Sequence, residues 1–281
     1  MKSANTHKLS FSVLLPARRA QDSLRLAIES CLNQLGRGPS EVIVIVEESD
    51  SNTSAIAIGF VDKRVRLLTV VDGSSLSEKL NEGLANARFG YIARMDADDI
   101  CLPWRFLRQE ALQRSHGVDV IFSTAIVFGA HLRPFPVLPQ PMTSLNSSEI
   151  EVGLLFGNPA IHPTLFARKT AIAGVGGYRN VPAEDLDLWL RLAIQGYKMA
   201  RDWVPALLYR YSRNSMSHLP SHRHSVEDSR PLLELRKKLA LKVILERQLS
   251  ISSIEPGPEL YKALKPGWKT KLDNFDFSLN H

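Results

Sequence analysis

Cysteine is scarce: Cys31 and Cys101 are the only two in 281 residues. Two thiols, one in a helical pattern and one beside an acidic cluster, do not make a disulfide framework, so a reducing compartment is expected. Met1 to Ser10 are polar, so no hydrophobic leader is expected. The longest apolar run, Val118 to Ala130, is interrupted by Asp119, Ser123, Thr124 and Gly129 and is too short to span a bilayer. A cytoplasmic protein is the expectation. No zinc-ligand cluster, RNA-binding signature, P-loop, dinucleotide fingerprint or serine elbow occurs, and there is no internal repeat or low-complexity tract. Nucleic acid is therefore not an expected partner despite a net charge of +6. That excess suits anionic ligands or an anionic membrane surface.

What is present is an alternation of strands and helices. Phe11 to Leu15 reads as a strand stopped by Pro16, and Asp22 to Leu35 has helical spacing. Val42 to Val46 is β-branched throughout, as a strand buried on both faces should be. A helix over Thr53 to Val61, a strand over Val65 to Val71, a helix over Ser77 to Arg88 and a strand over Tyr91 to Met95 complete the pattern. This order predicts an α/β, Rossmann-like, mostly parallel central sheet flanked by helices. Further on, His131 to Asn146 holds Pro134, Pro136, Pro139 and Pro141 and reads as a loop or lid. A short helix follows at Glu149 to Phe156, and Glu184-Asp185 opens an amphipathic helix through Ile194. Two strands, Lys198 to Arg201 and Ala206 to Tyr211, precede a basic helical segment from Ser225 to Gln248.

Chemistry concentrates where the fourth strand runs into Asp96, Asp98 and Asp99. Unpaired carboxylates cannot stay in a core, so they emerge at the strand's C-terminal end, with Asp96 and Asp98 on one side. Hard oxygens at that spacing suit Mg²⁺ or Mn²⁺ with positions left for phosphate oxygens. An acidic turn capping the helix that starts near Pro103 accounts for the same residues taken alone. Pro16 and Glu47-Glu48 also fall at C-terminal strand ends, the edge where such sheets place ligands.

Taken together, Tyr91 to Asp99, Asn158 to Thr164, Gly176-Gly177-Tyr178 and Glu184 to Arg191 resemble the family 2 glycosyltransferases, inverting enzymes of GT-A fold. The likeness is greatest to bacterial members that assemble exopolysaccharide, capsule or lipopolysaccharide, and it runs from about Phe11 to Ser217. It implies a nucleotide-sugar donor, a UDP-sugar by expectation, and a glycan or lipid-linked glycan acceptor. By that resemblance Asp98 ligates the metal bridging the diphosphate, Asp96 approaches the ribose or the metal's water shell, and Asp99 supports the loop or caps the next helix. Asp185, with Glu184 beside it, is implied as the base that deprotonates the acceptor hydroxyl. A helix N-terminus is expected to keep that base ionised.

Two segments depart from the family's pattern. Glu47-Glu48 stands where two aspartates are usual, so Glu47 would accept from the nucleobase N–H through a longer arm. Pro16-Ala17-Arg18-Arg19 stands where an aromatic and an amide are usual, with Arg18 and Arg19 expected to face solvent. His162 reads equally as an acceptor-site or diphosphate contact and as a structural histidine. His218 is weighed as a further metal ligand. Asp187 and Arg191 are read as a surface pair and Trp189 as core. The domain expectation is a catalytic unit over 1–220, its nucleotide-sugar half about 10–130 and acceptor half about 131–220, then a helical extension over 221–281. The stretch Leu235 to Arg247 would lie either on an anionic membrane face or on the catalytic unit. The competing functions are a nucleotidyltransferase and a non-catalytic sugar-nucleotide-binding module.

Overall fold

The computed structural model describes residues 9–36, 38–129, 143–210 and 229–247. The four prolines of the expected lid, His218 and the tail after Ser250 lie outside the described residues. The first half alternates as the pattern predicts: β1 (Phe11–Pro16), α1 (Leu24–Leu32), β2 (Glu41–Glu47), α2 (Ser51–Ile58), β3 (Val65–Val70), α3 (Leu76–Asn86) and β4 (Tyr91–Arg94). Then come β5 (Ile100–Cys101), α4 (Arg105–His116), β6 (Val120–Phe128), α5 (Ser147–Phe156), β7 (Phe166–Arg168), α6 (Lys169–Gly174), α7 (Glu184–Ile194), β8 (Met199–Arg210) and α8 (Arg230–Arg247).

Eight strands form one sheet in the order β3-β2-β1-β4-β7-β6-β8-β5. The first four pair in parallel, β6 pairs in parallel with β8, and only β7 and β5 run against the others. Six strands thus share a direction, which places their C-terminal ends on one edge. Strand β6, Val120–Phe128, puts the centre of the expected apolar run to use inside the sheet. The two strands expected at 198–211 are one, β8, whose pairing slips where Ser123 faces Asp202 but Thr124 faces Pro205. Pro205 has no N–H for the ladder, so the strand bulges there rather than ending.

Successive residues of each strand serve opposite faces. Val13, Leu15, Val42, Val44 and Val46 pack with Leu24 and Ile28 of α1 and Phe106 of α4. Leu14, Ile43 and Ile45 pack with Leu80 of α3, Leu154 of α5, Trp189 of α7 and Leu239 of α8. The C-terminal helix is therefore part of this second layer: Leu232, Leu239, Ala240 and Val243 are buried, and Lys242 reaches Glu151 of α5 at 3.0 Å.

Candidate active site

The end of β4 carries the acidic segment. Arg94, buried, turns back along the strand and holds Asp96 with both nitrogens, Nη1 to Oδ2 at 2.8 Å and Nη2 to Oδ1 at 2.5 Å. The Arg94 carbonyl is itself fixed by Nη2 of the buried Arg105 at 2.8 Å. Both oxygens of Asp96 are thus engaged, leaving Asp98 as the less committed carboxylate. Asp98 is half-buried, and burial together with the neighbouring Asp96 charge pushes its carboxyl up from the usual range.

Asp99 is 2 % exposed and accepts the Arg210 backbone N–H at 2.7 Å through one oxygen. Its other oxygen has no partner among the described residues. Burial and then Asp96 raise this carboxyl to about 8. Arg210 also donates from Nε to the Asp98 carbonyl at 2.8 Å while its guanidinium covers the Phe128 ring. Asp99 consequently ties the acidic loop to β8. The helix after it starts at Trp104 with no side-chain cap, so the capping alternative does not hold.

A second group comes from α7. Ala183, just before the helix, takes a left-handed conformation with φ of 52°, a strained choice for a residue with a Cβ. Glu184 lies 3.7 Å from His162 Nδ1, and its carboxyl is raised to about 7, first by burial and then by the Asp185 charge. Asp185 is half-buried, accepting from Asn158 Nδ2 through Oδ2 and from the Leu186 N–H through Oδ1, each at 2.7 Å. Those two bonds favour its anion, yet burial outweighs them and the carboxyl sits above its ordinary range. The helix N-terminus does not secure ionisation by itself.

His162 is 8 % exposed and shares a hydrogen bond with Tyr178 Oη at 3.0 Å, with Trp189 edge-on to its ring. Burial, then Arg94, depresses it well below the usual histidine value, so it is neutral. The glycine turn holding Tyr178 depends on a close approach: Gly177 has φ of 69°, and a Cβ there would meet Asn81 Oδ1 at 2.6 Å. Asn81 spans the turn, bonding both the N–H and the carbonyl of Tyr178 at 2.8 Å. Asp187 and Arg191 are a buried pair and not a surface one. Asp187 is 0 % exposed, and Arg191 reaches it at 2.7 Å while donating to the carbonyls of Val175 and Gly177.

Beside the start of α7 lies a cavity of about 630 Å³, within the range of small-ligand sites; Asp96, Asp98 and Asp185 are not among its walls. Pro16, Arg18, Lys79 and Glu184 are among its walls. Glu47 is bonded to Lys79 Nζ at 2.7 Å, which holds its carboxyl below the ordinary range, and Arg18 stands 4.0 Å from it. The Arg18 side chain is 67 % exposed, and Arg19 is exposed with its N–H on Asp50.

Pro16 and Glu184 thus line one cavity and Glu47 adjoins it through Lys79, while Arg94 lies among the charges acting on both Asp96 and Glu184. Sequence reading passed over three participants. Arg94 had a signal, since strand alternation puts it on the side of Asp96. Lys79 had none, because nothing local announces a partner 32 positions away. Asn158 stood in a quoted motif without a role.

The metal expectation can be tested on the donor set. Among the described residues no three His, Cys, Asp or Glu side chains are grouped to hold an ion. One free carboxylate among three acidic residues, with an orphaned oxygen on Asp99, instead fits a cation shared with a ligand's phosphates.

The model of Glycosyl transferase family 2 matches residues 12–173, more than half of the chain. An uncharacterized glycosyltransferase of Haemophilus influenzae is 29 % identical over 84 % of this chain and 89 % of its own length. The O-antigen biosynthesis glycosyltransferase WbnJ of Escherichia coli is 30 % identical over 64 % of this chain and 70 % of its own. Among solved structures, S. aureus TarS 1–349 in complex with UDP-GlcNAc superposes with a TM-score of 0.63. It is 15 % identical and covers 88 % of this chain and 69 % of that one, a likeness of fold, here GT-A. With the sheet, the acidic strand end and this match in agreement, the chain belongs to glycosyl transferase family 2.

Proposed function

We propose that the chain is an inverting transferase that moves a sugar from a nucleotide-sugar donor, a UDP-sugar, to a hydroxyl of a glycan or lipid-linked glycan in polysaccharide assembly. One observation carries this reading: an acidic pair at a helix start, with Glu184 lining the cavity and Asp185 pinned through both oxygens. Family membership displaces the nucleotidyltransferase and the non-catalytic binding module.

In this reading Asp185 accepts the proton of the acceptor hydroxyl as that oxygen bonds to the anomeric carbon. The bond from that carbon to the diphosphate oxygen breaks, its electron pair leaves with the nucleoside diphosphate, and configuration inverts. Pro16 and the Glu47–Lys79 pair flank the nucleoside, with Glu47 offering an acceptor for a base N–H. Asp96, fixed by Arg94, faces the ribose. A Mg²⁺ or Mn²⁺ held by Asp98 and the diphosphate would neutralise charge on the leaving group. Catalytic work is assigned to 1–220, and α8 adds a basic face for peripheral contact with the inner face of a membrane.

Screening nucleotide sugars with Mn²⁺ for UDP release tests the activity. In calorimetry Asp98→Ala should weaken UDP binding and remove its sensitivity to EDTA. Unchanged, EDTA-insensitive UDP binding by both proteins would sink the metal assignment.

A further inference from the structure

Asn158 is exposed, yet its surroundings leave it little freedom. It follows Gly157 at the end of α5 and precedes Pro159, which restricts the backbone of the residue before it to extended conformations. Pro159 is buried, and its carbonyl accepts Nη1 of the buried Arg201 at 2.9 Å. The side-chain amide is oriented as well. Asn158 Oδ1 accepts the Ala160 N–H at 3.2 Å and Nδ2 donates to Asp185 Oδ2 at 2.7 Å. Exchanging oxygen and nitrogen would set an NH₂ against an N–H and an oxygen against a carboxylate, so only one orientation is favourable.

Asp185 is meanwhile held by the Leu186 N–H at its other oxygen. The charged and titratable groups around it are Glu184 on the same helix, Arg94 from β4 and Tyr178 from the glycine turn. Apart from Arg94, none of these favours its anion. Among the described residues Asn158 is the one side chain that bonds directly to Asp185.

We infer that Asn158 is the positioning residue of the transfer. Its amide, clamped by Ala160 and Pro159, fixes which lone pairs of Asp185 are left for the acceptor hydroxyl and favours the carboxylate over the acid. A base with one oxygen on a backbone N–H and the other on a fixed amide cannot rotate away from an incoming hydroxyl. This inference rests on Asp185 being the base, and the experiment separates the two claims.

The test uses the full chain labelled with ¹³C at aspartate carboxyls. Asp185 is assigned by the resonance missing from Asp185→Asn, and its titration midpoint is compared between wild type and variants. Losing a hydrogen bond to the anion raises the pKa, so Asn158→Ala should move the midpoint up by roughly 0.5 unit. Asn158→Asp should move it further, because it keeps an oxygen for the Ala160 N–H but replaces the donor with a second anion. That variant also carries the measurement should Asn158→Ala not fold.

UDP release is then measured with whichever of UDP-glucose, UDP-galactose and UDP-GlcNAc the wild type turns over with Mn²⁺. For Asn158→Ala, kcat should fall roughly 10-fold to 100-fold with donor KM unchanged. A fixed Asp185 midpoint in both variants overturns the inference, even if rate is lost, since that pattern is merely structural. A raised KM with unchanged kcat overturns it in favour of donor binding. Full transfer by Asp185→Asn instead sinks the base assignment, whatever Asn158 does.

Discussion

At the scale of single residues, the acidic strand end and the acidic helix start share a buried cation, Arg94. Arg94 pairs with Asp96 directly, and Asp99 and Glu184 lie within reach of its charge. Without it, the acidic strand end and the acidic helix start would repel each other across a half-buried space. Even with it, Glu184 titrates near 7, because burial and Asp185 oppose its ionisation. Its folded pKa therefore lies above that of a free glutamate. The group favours folding while protonated, at low pH, and that contribution is lost as pH rises through about 7. Glu184→Gln should consequently raise the thermal midpoint relative to wild type more at pH 8 than at pH 5. Equal differences at the two pH values would show that Glu184 is not destabilised as an ion.

Secondary-structure elements show what spacing conveys and what it leaves open. Four-residue spacing on α7 announces that Asp187 and Arg191 can meet, but not which side of the helix is covered. The glycine turn packs over that face, so Arg191 becomes a strut bonding Asp187 and the carbonyls of Val175 and Gly177. Arg191→Met would leave Asp187 buried without its 2.7 Å partner, and the turn that carries Tyr178 would lose its anchor. A loss of about 3–5 kcal/mol is expected from removing one member of such a pair, measured as a lower urea midpoint. A loss below about 1 kcal/mol, the range of exposed pairs, would return the contact to the surface. Strand β8 makes the same point, because the two strands expected at 198–201 and 206–211 are one strand with a bulge at Pro205.

For the whole molecule, the sheet divides the core into two layers, and α8 belongs to one of them. The stripe that made Leu235 to Arg247 look like a membrane helix is largely consumed: Leu239 and Val243 are 0 % exposed. What α8 leaves outside includes Leu233, Leu241 and Leu245, together with the exposed Arg230 and Lys238 and the exposed Glu234 and Glu246. Three leucines and surface cations, each cation adding about 1 kcal/mol near anionic lipid, support reversible contact but not insertion. Flotation with anionic liposomes should capture the chain at low salt and release it at high salt. Absence from the liposome fraction at both would remove membrane contact from the proposal, and retention at high salt would point to apolar insertion.

By itself the sequence determined the parallel half of the sheet, because β1 to β4 are largely apolar segments separated by helices of ordinary length. It also determined that Asp96 and Asp98 leave the core at a strand end, since ions cannot remain there unpaired, whereas Asp99, expected to emerge with them, stays buried with its carboxyl raised to about 8. Motifs in family order then placed Glu184 and Asp185 at a helix start. Apart from Arg94, which strand alternation already sets beside Asp96, only the tertiary structure decided their partners. Lys79 on Glu47, Arg210 on Asp99 and Asn158 on Asp185 join segments up to 111 positions apart. Burial decided the protonation tendencies, raising Asp98, Asp99, Glu184 and Asp185 where helix position or charge counting alone would leave them ordinary. Desolvation depends on everything packed around a group, and a linear sequence states only what lies beside it.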